Sequence, residues 1–285
     1  AGKTLVTYAK RGNVSLISVV MKSNGDQVFD DTKKLLDYGF NTFSFKQFGK
    51  KGDIVKNGKA VDLGKNVYIC SFEEEQAGYL AGYAAVKDGY TSLGFLGGIA
   101  VPAVIRFGYG YVQGINAAAE EDGVNVNVKY YYGGDDSITS RMEGWYADGT
   151  QVVFACGGGI WTSALDAAET HDGKVIGVDV DQRSKIGERC LTSAMKGLPS
   201  AINNALDSYF SGNFSELGGT AQQLGLKDGD YIGLPTDSES WGFTTFTQDQ
   251  YETVLAGIRD GSIEISSDTE NQPEVGSHVT VDYIS

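Results

Sequence analysis

The chain has 285 residues, 41% of them hydrophobic and 21% charged. This is ordinary globular chemistry for one large or two medium domains, and it argues against a disordered chain. A formal net charge of -14 argues against a surface built to neutralise nucleic-acid phosphates or anionic lipid. No stretch approaches the ~20 apolar residues of a spanning helix, and the start at Ala1-Gly2-Lys3-Thr4 has no hydrophobic secretory core, as expected of a mature or truncated chain.

Charge is uneven. Residues 1–60 carry 11 Lys and Arg against five Asp, a net of +6, whereas 61–285 carry a net of -20. Such a shift predicts two pieces joined near residue 60, through the Gly- and Lys-rich turns at 49–59. In the first piece, β-rich runs at 5–8 and 14–21 flank the turn Lys10-Arg11-Gly12-Asn13 and predict a hairpin. A short helix over 30–38 follows, with Gly39 as its stop.

The second piece alternates strands and helices. Ser71-Phe72-Glu73-Glu74 fits a capping box that starts a helix reaching about residue 87, in which Gly78 and Gly82 admit a neighbouring backbone. Then come a strand at 92–96, a helix from Pro102 to about Glu121 stopped by Gly123, and a strand over 124–132. Helices at 137–146, 160–170 and 199–210 alternate with strands at 151–156, 174–178 and 190–192. Apolar strands alternating with helices imply right-handed βαβ units and a parallel sheet covered on both faces. Ligands of such sheets bind beyond the carboxyl ends of the strands.

Three strand ends carry suggestive residues. Gly157-Gly158-Gly159 allows a sharp strand-to-helix turn with amides exposed to a polar ligand edge, and Trp161 just beyond offers a stacking face. Asp179 and Asp181 alternate, so one carboxylate is expected in a cleft, where it accepts bonds from a vicinal diol. Lys196 places a donor at the next strand end. No phosphate-loop pattern occurs, and Gly108, Gly110 and Gly114 sit inside a helical pattern.

Catalytic and metal sets are incomplete. Arg183 stands where a calcium loop after Asp179 and Asp181 needs an oxygen ligand. Cys70, Cys156 and Cys190 share no metal spacing and make no disulfide framework, and His171 and His278 lack companions. The strings Ser193 to Lys196 and Ser211 to Asn213 invite a penicillin-binding acyltransferase reading, but the third string, Lys-Thr-Gly, is not completed after Lys3-Thr4. No enzyme, no cofactor and no metal are expected.

The ordered runs Phe72-Glu73-Glu74-Glu75-Gln76-Ala77-Gly78-Tyr79-Leu80-Ala81-Gly82, Gly94-Phe95-Leu96-Gly97-Gly98, Ala155-Cys156-Gly157-Gly158-Gly159, Gly177-Val178-Asp179-Val180-Asp181 and Thr192-Ser193-Ala194-Met195-Lys196 closely resemble the basic membrane protein family. These are substrate-binding lipoproteins of the purine-nucleoside receptor type that serve ABC importers. The resemblance covers about 61–285. It implies an α/β, type I periplasmic-binding-protein-like fold with Rossmann-like parallel-sheet lobes, here with the first lobe incomplete because its usual opening segment is not seen. It further implies a nucleoside facing Asp179 and Lys196 through its ribose, with Gly157, Gly158, Gly159 and Trp161 enclosing the base. The implied partners are a small-molecule ligand and an ABC transporter permease, with no nucleic acid, at an extracytoplasmic location. A membrane association would run only through a lipid anchor not present in this chain.

Residues 1–60 resemble something else. Ala9-Lys10-Arg11, Leu16-Ile17-Ser18-Val19-Val20 and the run from Phe29 to Phe40 are similar to the end of a D-alanyl-D-alanine carboxypeptidase catalytic domain, and Lys51-Gly52-Asp53-Ile54-Val55 to the start of its next domain. That family's nucleophile region lies upstream, so peptidase activity is not expected. The sequence therefore reads as a chimera, with apolar surface along the 72–86 helix left uncovered unless the hairpin piece packs on it.

Overall fold

A computed structural model describes residues 2–11, 14–42, 65–133 and 137–284. The chain divides into two compact units, Ala1–Val61 and Asp62–Ser285. The turns expected at 49–59 and the run at 51–55 lie outside the described residues.

In the first unit, β1 (Lys3–Arg11) and β2 (Val14–Ser23) pair antiparallel, Leu5 opposite Val20 and Tyr8 opposite Ile17. The period of two turns Ser18 and Val20 inward and leaves Val6, Tyr8, Ile17, Val19 and Met21 exposed. The helix α1 (Gln27–Thr42) packs on the hairpin and runs past its expected stop at Gly39. The reason is close approach: a Cβ on Gly39 would stand 2.7 Å from Leu16 Cδ1, so this glycine serves contact rather than termination.

The second unit begins with β3 (Tyr68–Phe72) and α2 (Glu74–Lys87). The capping box is not formed. Phe72 pairs with Leu224, which keeps Ser71 extended, and the Ser71 hydroxyl donates to the Gln222 carbonyl. The helix starts after Glu73 without a side-chain cap. Its Glu74 turns instead to Arg106.

Next along the chain lie β4 (Ser92–Gly97), α3 (Pro102–Asp122), β5 (Val126–Tyr132), α4 (Ile138–Ala147), β6 (Val152–Cys156), α5 (Trp161–His171), β7 (Lys174–Asp179), the short α6 (Arg183–Ile186) and β8 (Cys190–Lys196). They are followed by α7 (Leu198–Phe210), β9 (Thr220–Leu224), β10 (Ile232–Gly233), α8 (Gln248–Asp260) and β11 (Val279–Ile284). Seven strands form one sheet in the order β10-β8-β7-β6-β4-β5-β11. All neighbours run parallel except β10 on β8, and β3 pairs with β9 in a separate parallel ladder.

The chain reverses its direction across the sheet at β4: β5 lies on one side of it and β6 on the other. Helices α2, α3 and α8 contribute to one core cluster and α4 and α5 to the other. The turns after β4 and β6 thus leave toward different helix layers, which opens a crevice at the carboxyl ends of the strands.

The layer of α2 and α3 is held by reciprocal glycines. A Cβ on Gly78 would lie 2.0 Å from the Phe107 carbonyl oxygen and one on Gly82 2.3 Å from that of Tyr111. From the other side, Gly110 meets the Glu75 carbonyl and Gly114 the Tyr79 carbonyl, each at 2.0 Å. Contrary to the expectation of an uncovered helix, every residue of α2 from Glu74 to Val86 is buried. It is enclosed by α3, β8, β10 and α8, of which α8 and β10 are absent from the sequence-based reading.

Candidate functional site

Adjacent parallel strands β6, β7 and β8 end at one edge of the sheet, and each end carries residues that the sequence singles out. After β6, Gly157 and Gly158 take φ of +156° and +45°. The Gly98 amide donates to the Cys156 carbonyl, and a Cβ on Gly157 would stand 3.1 Å from Gly98 N and Cα. The turns after β4 and β6 therefore touch through backbone, and a side chain at Gly157 would force them apart.

Asp179 closes β7 with φ +68°, a left-handed conformation that Asp tolerates better than most residues. Its Oδ1 lies 2.9 Å from Lys196 Nζ at the end of β8. The Asp179 carboxylate is 46% exposed and the Lys196 side chain 16%, so the pair has one side toward solvent and one toward the core. Asp181 is occupied otherwise: Oδ1 accepts from the Arg183 amide and Oδ2 from the Ser240 hydroxyl at 2.5 Å. It fixes a turn, whereas Asp179 faces a cation.

Behind the pair sits a second layer of charge. Glu74 is buried and its Oε1 lies 3.9 Å from Lys196 Nζ, while Oε2 accepts from Arg106 Nε at 2.8 Å and lies 2.6 Å from Nη2. The rings of Phe72 and Phe107 flank the ammonium, with centroids at 5.8 and 5.5 Å. Such rings favour a cation electrostatically. Cys156, at the end of β6, is buried beside these charges, and burial first, then Asp179, pushes its thiol well above the usual range. It is an inert wall rather than a nucleophile.

Sequence reasoning finds Asp179, Lys196 and Gly157 to Gly159 at this edge but passes over Glu74 and Arg106. Glu74 is absorbed there into a capping box. Arg106 had a readable signal, being the only charged residue between Asp88 and Glu120. Trp161 is partly buried and packs on the cluster of α4 and α5 that includes Leu96, Tyr131 and Met142. A cavity of about 680 Å³ adjoins the site, lined among others by Lys196, Met195, Asp181, Tyr231 and Tyr251. It reaches the lysine but is not lined by Asp179, the glycine turn or Trp161.

The acyltransferase strings do not assemble. Residues three apart on a strand point to opposite faces, so Ser193 and Lys196 of β8 diverge. The Ser193 hydroxyl is buried and accepts from the Gln182 amide, and the Ser211 hydroxyl donates to the Asp207 carbonyl at the end of α7. Among the described residues no His, Cys, Asp and Glu cluster could hold a metal ion, and no helix is long and apolar enough to cross a membrane.

The family model described as "ABC transporter substrate-binding protein PnrA-like" matches residues 47–269. An "ABC transporter nucleoside-binding protein BmpA" of Lactococcus lactis is 30% identical over 223 residues, covering 71% of this chain and 61% of the relative. "Basic membrane protein B" of Borreliella burgdorferi is 32% identical over 190 residues, covering 64% and 54%. The chain thus spans between half and two thirds of the length of these relatives. Among solved structures, an ABC transporter solute-binding protein from Aeropyrum pernix matches with a TM-score of 0.62 at 19% identity, over 74% of this chain and 70% of that one. Another from Conexibacter woesei matches at 0.56 and 20%, over 70% and 65%. At that identity the likeness speaks for the fold alone. Nothing in these likenesses supports the carboxypeptidase resemblance of residues 1–60.

Proposed function

Since the chain belongs to the PnrA-like family of ABC transporter substrate-binding proteins, we propose that it captures a purine nucleoside or a related small ligand for an ABC importer, without catalysis. The observation that carries this reading is the Asp179–Lys196 pair, 2.9 Å apart at neighbouring strand ends beside the crevice where the sheet reverses. A carboxylate there accepts both hydroxyls of a vicinal diol, and the ammonium donates to a sugar oxygen. The amides of Gly157 to Gly159 meet the edge of the base, and Trp161 supplies an aromatic wall after a change of side-chain conformation. Delivery requires a permease as partner and an extracytoplasmic location; a lipid anchor would keep the protein at the membrane surface. The boundary near residue 60 separates this binding unit from the hairpin unit.

The name of the Lactococcus relative supports the choice of a nucleoside. A thermal-shift screen of the whole chain with inosine, guanosine, adenosine and free ribose tests it. A ligand at 100 times its dissociation constant adds about 2.7 kcal/mol to the native state, which is readily seen as a higher melting temperature. Nucleosides are expected to raise the transition and ribose to raise it less. A folded protein whose transition no nucleoside moves would end the transport reading.

A further inference from the structure

Arg106 has an unusual position for a cation, in an otherwise uncharged stretch and with its side chain 17% exposed. Removing a guanidinium from water is unfavourable unless an anion of good geometry meets it. Here the match is with a single atom. Nε and Nη2 both converge on Glu74 Oε2, at 2.8 and 2.6 Å, whereas Glu75 Oε2 stays 3.6 Å from Nε and has no hydrogen-bond partner among the described residues. The other oxygen of Glu74 is left facing Lys196 at 3.9 Å.

Lys196 therefore stands between two carboxylates. It is close to Asp179, which is half exposed, and one ångström farther from Glu74, which is buried and already shared with Arg106. A buried carboxylate deprived of its own cation would attract the ammonium more strongly than a half-exposed one, since the lower local dielectric strengthens Coulomb attraction.

We propose that Arg106 is a positioning residue: by neutralising Glu74 it leaves Lys196 with Asp179, so that both are set for a ligand's hydroxyl groups. The proposal rests on the nucleoside reading of the crevice for its functional consequence, but not for its geometry. Without Arg106 the ammonium moves toward Glu74, and the ligand loses the prearranged donor at its sugar.

Trace acetylation of the ligand-free full chain, with the modification of Lys196 read by peptide mass spectrometry, tests the geometry, because only the unprotonated amine reacts. Arg106→Gln is expected to slow the modification several-fold and Glu74→Gln to speed it. The double variant should behave as Glu74→Gln alone. A merely structural role for Arg106 predicts loosening, hence faster modification in Arg106→Gln, and that result would overturn the proposal. So would a slowing that persists undiminished in the Glu74→Gln background. If Arg106→Gln does not fold, Arg106→Met removes the charge while keeping the apolar stem, and slower modification than wild type is expected; an unchanged or faster rate counts against the proposal. With inosine as probe, Arg106→Gln should bind about tenfold more weakly, a loss of ~1.4 kcal/mol, and the loss should vanish in the Glu74→Gln background. Absence of inosine binding by the wild type would defeat the nucleoside reading, while the acetylation rates would still decide the role of Arg106.

Discussion

Two aspartates separated by one residue have different surroundings, and their substitution should separate binding from stability. Asp179 faces Lys196 at the crevice, while Asp181 bonds the Arg183 amide and the Ser240 hydroxyl. Asp179→Ala is expected to cost about 1 to 3 kcal/mol of nucleoside affinity by calorimetry, the range for removing one partner in a desolvated site. Asp181→Ala should lower the melting temperature and leave affinity nearly unchanged. Equal affinity losses would refute the assignment. Lys196→Met should weaken nucleosides and spare free bases, if the ammonium serves the sugar. A second residue-scale prediction concerns Glu75, whose carboxyl burial pushes from its ordinary 4.5 up to about 7. The folded state then holds a proton that the unfolded chain has released, so stability contributed by this group is present below about pH 4.5 and is lost as pH rises to about 7. Glu75→Gln keeps the neutral shape and should remove that fall. On the order of 3 kcal/mol is involved for the full shift. Denaturant unfolding at pH 5 and pH 7.5 checks it: a variant losing as much stability as the wild type between the two would show that Glu75 does not titrate there.

At the scale of elements, glycine substitutions should have opposite signs at two sites. Gly78→Ala places a methyl where the Phe107 carbonyl already lies, so despite the better helix propensity of alanine it should cost about 1 to 3 kcal/mol or more. Gly144, on an exposed turn of α4, has nothing within 4 Å, and Gly144→Ala should stabilise by about 0.5 to 1 kcal/mol. Urea unfolding measures both, and a neutral Gly78→Ala would show that the two helices are not in backbone contact. The close approach at Gly78 and Gly82 is legible in the sequence because four-residue spacing puts both on one helix face. Strands β4, β6 and β7 are legible because each is a continuous apolar run. The polar β9 and the two-residue β10 offer no such run, and β10 owes its existence to Lys196 and Met195 across the ladder. The capping box read at Ser71 occurs elsewhere, at Thr247 and Gln250 of α8. The pattern is short enough to recur, and only the strand pairing of Phe72 decides against the first instance. The pairing of Glu74 with Arg106 is illegible for a related reason. They are 32 residues apart, and nothing short of the α2 and α3 packing brings them together.

For the whole molecule, the two units differ in how much core they possess. A hairpin and one helix bury few side chains, Val20 and Val28 among them, whereas the seven-stranded sheet is covered by helices on both faces. Small units open more readily than large ones. Native-state hydrogen exchange should therefore show lower opening energies for β1, β2 and α1 than for β4, β6 and β7. The same experiment with saturating inosine tests the central claim most directly, because it reports where the ligand sits in the chain. Added protection is expected at 157–159, 179–182 and 195–198, the ends of three adjacent strands. Protection confined to other segments, or none in a protein that stays folded, would contradict the account.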